Sequence, residues 1–462
     1  MNEDWYRNRD KRTDSCTQVN SAYKNATVQV FVTEKLSEQR VQLLTCFSIV
    51  MLAKWCRNIN LQMDDGPCLL ENFNGDFSAF IAKKVQAIDP FCHFKINTRT
   101  SPQYGIALYI GNKLHEQNGN WVTINGSGWY SACGFNKPAP LAVTKDGPDV
   151  LGTCFAACLG NAALFRFLTG TIENPYCKWY SLFDFEIYDA PIQKFKDISY
   201  APPDLGRMHI IGCGAIGSSI VTLLPYLHPI MQALLVDPDG VEDHNTSSSL
   251  LFGYDDAKAV AEKSVVCKEY LDRFGIRVET FNGDYADYPY QYNVKGINTP
   301  DLVLCFANEN NIWSTIQNQY PPVCFHSTTS KSWGIHIGRH IPLKENCLVC
   351  TFKDFIGANF TPVCAEVAIT STTAKEEDTH ASHTAILPFL APAAACVCLA
   401  EILKFANGTH QADNNTTFNM STAEAFFMKE RESFGHCYIC AEQIDIYQQL
   451  GPFSKFWPSS VG

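Results

Sequence analysis

Over the first 200 residues, apolar positions follow mixed helix and strand spacings. Past residue 206 they sharpen into short apolar runs separated by helical stretches. In the first part, Leu43–Cys56 has helical spacing, Tyr104–Ile110 reads as a strand, and Leu151–Phe167 reads as a helix rich in small residues. Tyr200–Gly206 (YAPPDLG) pairs two prolines with a glycine and predicts a linker. Beyond it, Met208–Ile211 predicts a buried strand, followed by a helix to about Leu224. Ala233–Val236 predicts a second strand, ending at Asp237, and Leu302–Cys305 and Val323–Phe325 two more. Strands alternating with helices imply an α/β fold. The expected form is a doubly wound, Rossmann-like parallel sheet with its ligand at the strand C-termini. No internal repeat is visible.

Val150–Gly170 and Ala385–Phe405 are the most apolar stretches. Charges interrupt both (Arg166; Glu401 and Lys404), so buried amphipathic helices are expected rather than membrane spans. The N-terminus is charged and lacks an apolar signal segment, and a cytoplasmic protein without a membrane partner is expected. At 462 residues the chain exceeds what one core usually serves, which predicts two domains, 1–200 and 201–462. A formal charge of −11 argues against a nucleic-acid partner, because neutralising phosphates needs an excess of Lys and Arg. The 20 cysteines are mostly scattered singly in a large chain, which predicts reduced core thiols rather than a disulfide scaffold.

The chemistry concentrates after the linker. Gly212, Gly214 and Gly217 follow a strand and open a helix, with Ala215 between them as a further cofactor-binding candidate. The first glycine permits the turn, the second lets backbone approach phosphate, and the third lets helix pack on strand. Asp237 ends the next strand about 20 residues on, where a carboxylate reaches ribose hydroxyls. Asp239, Asn245 and Lys263 follow, a set that suits ATP activation better than hydride transfer. The plainer alternative is a solvated loop and a surface helix. Cys347/Cys350 and Cys437/Cys440 form two CxxC pairs that together complete a four-thiolate Zn2+ site of structural type. The alternative, a redox CxxC, leaves the second pair unexplained.

The run VDPDGVEDHNTSSSLLF resembles the VDxDxVxxSNLxRQxLF signature of the ThiF/MoeB and ubiquitin-activating-enzyme family. The helix AEKSVVCKEYL is similar to that family's lysine-bearing helix, and Lys263 matches its ATP-phosphate lysine. The similarity runs from about Arg207 to the C-terminus. It implies Mg2+-ATP-dependent adenylation of the C-terminal glycine of a ubiquitin-like protein. The segment FTPVCAEVAI resembles the family's crossover loop and makes Cys364 the thioester nucleophile, serving a conjugating-enzyme-like partner. In some family members this segment takes part in no thioester step, and a partly buried structural cysteine is the plainer alternative. Two positions depart from the pattern. Ser248 stands where the family has arginine, and Asn308 stands where it has a magnesium-associated aspartate.

Residues Leu151–Gly170 resemble the closing helix of a degenerate adenylation half, which makes residues 1–200 an inactive partner of the second half. Such a pseudo-dimer is also open to further homodimerisation. The layout resembles bacterial activating enzymes of ubiquitin-like conjugation systems, some of which serve in antiphage defence. The alternatives are a sulfur-carrier adenylyltransferase without a thioester step and a non-catalytic nucleotide-binding scaffold. An NAD-dependent oxidoreductase is the remaining one.

Overall fold

The computed structural model describes residues 2–15, 21–98, 105–113, 119–144, 147–170, 174–191, 200–288, 299–307, 312–352, 386–409, 413–422, 425–433, 435, 437–450 and 454–456. They are organised around two eight-stranded mixed sheets. The first contains β1 (Thr27–Val32), β2 (Asn58–Gln62), β3 (His93–Ile96), β4 (Ile106–Ile110), β5 (Trp121–Ser127), β6 (Tyr130–Phe135), β7 (Tyr176–Ser181) and β8 (Glu186–Tyr188). The second contains β9 (Asp204–Ile211), β10 (Ile230–Val236), β11 (Arg277–Phe281), β12 (Leu302–Cys305), β13 (Val323–Thr329), β14 (Gly334–His340), β15 (Asn415–Asn419) and β16 (Phe426–Glu430).

The two sheets share one topology. Their orders are β3-β2-β1-β4-β5-β6-β7-β8 and β11-β10-β9-β12-β13-β14-β15-β16. In each, the first five strands of that order are parallel and the last three antiparallel. Each therefore has one switch point, between β1 and β4 or between β9 and β12, where chain connections leave in opposite directions.

The helices are α1 (Asn2–Asp14), α2 (Gln39–Ala53), α3 (Phe77–Ile88), α4 (Asp149–Leu168), α5 (Ala215–Leu223), α6 (Tyr254–Lys258), α7 (Lys263–Asp272), α8 (Ile312–Asn318), α9 (Leu348–Thr351), α10 (Leu390–Ala406) and α11 (Tyr438–Leu450). α4 is long and apolar enough to cross a membrane, yet 94% of its most apolar window is buried inside the protein. It is not amphipathic as expected: Val150 to Arg166 is buried on every side, among α2, β5, β6 and α10. α10 is likewise buried from Leu390 to Lys404.

These two helices meet where the halves join, and one continuous apolar core runs through both. Buried polar links cross the same seam. Arg166 Nη1 donates to the Met420 carbonyl at 2.7 Å, and Lys404 Nζ donates to that of Phe183 at 2.9 Å. The expected linker is shorter than the proline-glycine pattern indicates, because Asp204, Leu205 and Gly206 already belong to β9.

Candidate functional site

β9 delivers Gly212 to the switch point of the second sheet. There Phe306 N and Ala307 N, just past β12, both donate to the Ile211 carbonyl, at 2.8 and 3.1 Å. Gly212 has φ +89°, and a Cβ on it would lie 2.6 Å from Ala307 N, so the turn requires glycine. A Cβ on Gly217 would collide with the Gly212 carbonyl, whereas nothing lies within 4 Å of one on Gly214. Backbone is therefore exposed to open space immediately before α5, which starts at Ala215. The first-turn N–H groups of a helix have no intrahelical partner and carry its positive dipole end, which suits phosphate.

Asp237 is 5% exposed and shapes this loop. Its oxygens accept from Cys213 N at 2.6 Å and Asp239 N at 2.9 Å. Burial pushes its carboxyl pKa up, and the Lys263 ammonium opposes that. Lys263, at the start of α7, bonds to the Asp239 carboxylate at 2.7 Å, and its backbone N–H donates to the Asp239 carbonyl at 3.1 Å. Asn245 caps the turn 242–247, accepting from Glu242 N through Oδ1 at 2.9 Å. Ser248 is 2% exposed and points its hydroxyl at the Asn245 carbonyl, so it offers no charge. Ser249 ties the turn to α5 through Ser218, Oγ to Oγ 2.7 Å.

The fold thus brings together Gly212, Gly214, Ala215, Gly217, Asp237, Asp239, Asn245 and Lys263. Asn308 and Cys364 lie outside the described residues.

Two contributions from the first half were not visible in the sequence. Fully buried Lys54, just after α2, donates to the Thr246 carbonyl at 2.8 Å. α1 lies against the same turn, with Asn8 Nδ2 on the Asp243 carboxylate at 3.2 Å. Burial chiefly, with the positive charges of Arg12, Lys263 and Lys11, lowers the His244 pKa to about 3. Nearly 200 residues or more separate these groups from the turn, so no local spacing signals them.

The equivalent switch point of the first sheet is closed. Glu34, two residues past β1, pairs with Arg40 of α2, and Arg40 also donates to Asn125 Oδ1 at 2.9 Å. Side chains occupy the place where the second sheet leaves open backbone.

The thiols of Cys347, Cys350, Cys437 and Cys440 all lie within 4.8 Å of one another. Cys347 and Cys437 are 3.6 Å apart, as are Cys350 and Cys440, too far for disulfides. Cys350 N and Cys440 N donate to the sulfurs of Cys347 and Cys437, at 3.3 and 3.4 Å. Hydrogen bonds from Cys347 and Cys350 hold the Cys440 thiol well below its ordinary pKa. Four converging soft donors fit Zn2+, and the set would join the segment after β14 to α11.

The model described as ThiF family matches residues 204–438. No curated protein matches significantly. Among solved structures, Escherichia coli MccB with ATP is similar at 19% identity and TM-score 0.38, over 52% of this chain and 67% of that one. MccB with AMPCPP and MccA gives 18% identity and TM-score 0.36, over 50% of this chain. This chain spans 66%, just under two thirds, of that MccB chain. At those scores the likeness carries no argument about substrate.

Proposed function

Because this chain belongs to the ThiF family, through residues 204–438, we propose that it is an ATP-dependent adenylyltransferase acting on a polypeptide C-terminus. The observation that carries this reading is the open glycine loop at the switch point, with the Asp239–Lys263 pair beside it. ATP phosphates would lie at the N-terminus of α5, with Lys263 countering their charge. The Asp239 side chain is 59% exposed and would offer oxygen to Mg2+ accompanying the triphosphate; Asn308 would be the second donor. Lys11 and Arg12 of α1 supply positive charge near a turn where Ser248 lacks it.

A carboxylate oxygen of the bound C-terminus attacks the α-phosphorus. The bond from that phosphorus to the bridging oxygen breaks, and pyrophosphate leaves carrying the electron pair. The favoured substrate is a ubiquitin-like protein ending in glycine. In the second step the Cys364 thiolate attacks the acyl carbon, AMP leaves, and the thioester serves a conjugating-enzyme-like partner. Residues 1–200 would be a degenerate adenylation half. The shared strand order and the Arg40–Glu34 pair filling the first switch point support that reading.

Pyrophosphate exchange into ATP, measured with a ubiquitin-like protein ending in glycine, tests the first step. A thiol-sensitive band on a non-reducing gel, absent in Cys364→Ala, tests the second. Exchange without the band would favour a sulfur-carrier adenylyltransferase. Neither, with ATP still bound, would leave a nucleotide-binding scaffold.

A further inference from the structure

A cavity of about 260 Å3 lies at the seam between the halves, and no residue of the glycine loop lines it. Leu43, Phe47 and Val50 of α2 form one wall, and Leu250 with Val266 of α7 forms the other. Packing from behind holds these walls apart, α2 against α4 and α7 against α5. Ala87, Asp255, Glu269 and Arg273, all exposed, stand at its mouth.

Glu71 enters the wall from the loop 63–76, between β2 and α3. It and Asn72 both have φ 52°, two successive residues in the left-handed region that side chains other than glycine rarely adopt. Such backbone persists only where its surroundings fix it, and it recurs at ligand clamps. Here it places Glu71 Oε1 2.6 Å from Lys84 Nζ and, across the seam, 3.5 Å from the Tyr270 hydroxyl. Glu71 Oε2 has no hydrogen-bond partner among the described residues, although the side chain is only 12% exposed.

The lining selects the ligand by charge. Glu71, Asp255, Asp256 and Glu269 outnumber the cations Lys84 and Arg273, and Lys84 is already paired with Glu71. An anion entering the cavity would meet this surplus of carboxylates. A neutral apolar molecule would cover the free Glu71 oxygen without pairing it, which is costly. An organic cation with an apolar body matches both the carboxylate and the walls. At about 260 Å3 the space is slightly smaller than pockets that take drug-sized molecules, which suits one fused ring with a short side chain.

We propose that this seam cavity binds a small organic cation of the arylalkyl-amine class, its ammonium on Glu71 and its ring between α2 and α7. The site is separate from the nucleotide site, so the proposal stands whether or not the adenylation reading does. Its ligand would nonetheless lie against α7, which opens with Lys263, and against Leu250 and Leu251, just past the turn that holds Asn245. Because both halves supply walls, the ligand binds the folded chain alone and raises its melting temperature.

The test uses the full chain and three indole probes of similar shape: tryptamine, a cation; 3-ethylindole, neutral; and indole-3-acetate, an anion. Isothermal titration calorimetry is expected to show tryptamine bound about tenfold tighter than either of the others. Glu71→Gln, which keeps the shape and removes the charge, is expected to weaken tryptamine by about tenfold. Ala87→Trp, which fills the mouth from α3, is expected to abolish binding. Thermal unfolding checks that each variant folds; Glu269→Gln and Val266→Phe replace any that does not, with weakened binding expected from each. The chain carries a formal charge of −11 and attracts cations over its whole surface, so tryptamine binding that survives in folded Ala87→Trp would mean surface attraction only and would overturn the proposal. Equal binding of the three probes, preference for the anion, no binding at millimolar concentration, or a folded Glu71→Gln that behaves as wild type would overturn it as well.

Discussion

Replacing Lys54 by methionine tests how closely the first half is bound into the nucleotide turn. Its fully buried ammonium lies 2.8 Å from the Thr246 carbonyl. Burial first, and then the Arg9 guanidinium, lower its pKa from 10.5 to about 7, with Asp256 opposing. The unfolded chain keeps this proton up to about pH 10.5, whereas the folded protein releases it near pH 7. Between those values the unfolded state binds more protons, so this residue makes stability rise with pH. Each pH unit beyond the folded pKa adds about 1.4 kcal/mol, so going from pH 6.5 to pH 9 contributes about 2–3 kcal/mol. Methionine keeps the bulk and removes the titration. Urea unfolding of both proteins, followed by tryptophan fluorescence across that range, should show wild type gaining that amount over Lys54→Met. A difference independent of pH would mean the ammonium titrates as though in water, and would refute the buried bridge.

Lys263→Ala removes the cation beside the loop and should weaken ATP binding by about tenfold or more, read by calorimetry. Gly217→Ala forces a Cβ onto the Gly212 carbonyl and should cost about 1–3 kcal/mol, seen as a lower melting temperature. A strong chelator, or Cys347→Ser, should release about one zinc per chain by metal analysis and lower the melting temperature. Asp237→Asn should loosen the loop, raising the Kd for ATP several-fold without abolishing binding, because the amide oxygen can still accept one N–H.

The sequence by itself determined what is local. The strand-to-glycine-turn-to-helix run, Asp237 at the next strand end, Lys263 opening α7 and the two CxxC pairs were legible because short-range geometry dictates them. Neighbours in sequence remain neighbours in space over such distances.

Only the tertiary structure decided what depends on distant pairings. No repeat is visible in the residues, yet both halves adopt one strand order. Many sequences satisfy the same burial pattern, so topology outlasts sequence likeness. α4 offered no amphipathic stripe because it is covered from both halves, which composition alone cannot show. Lys54, α1 and Glu71 gain their significance from contacts across the seam, each formed by segments far apart in the chain. Loop closure and core packing fix those contacts, and neither leaves a local signature.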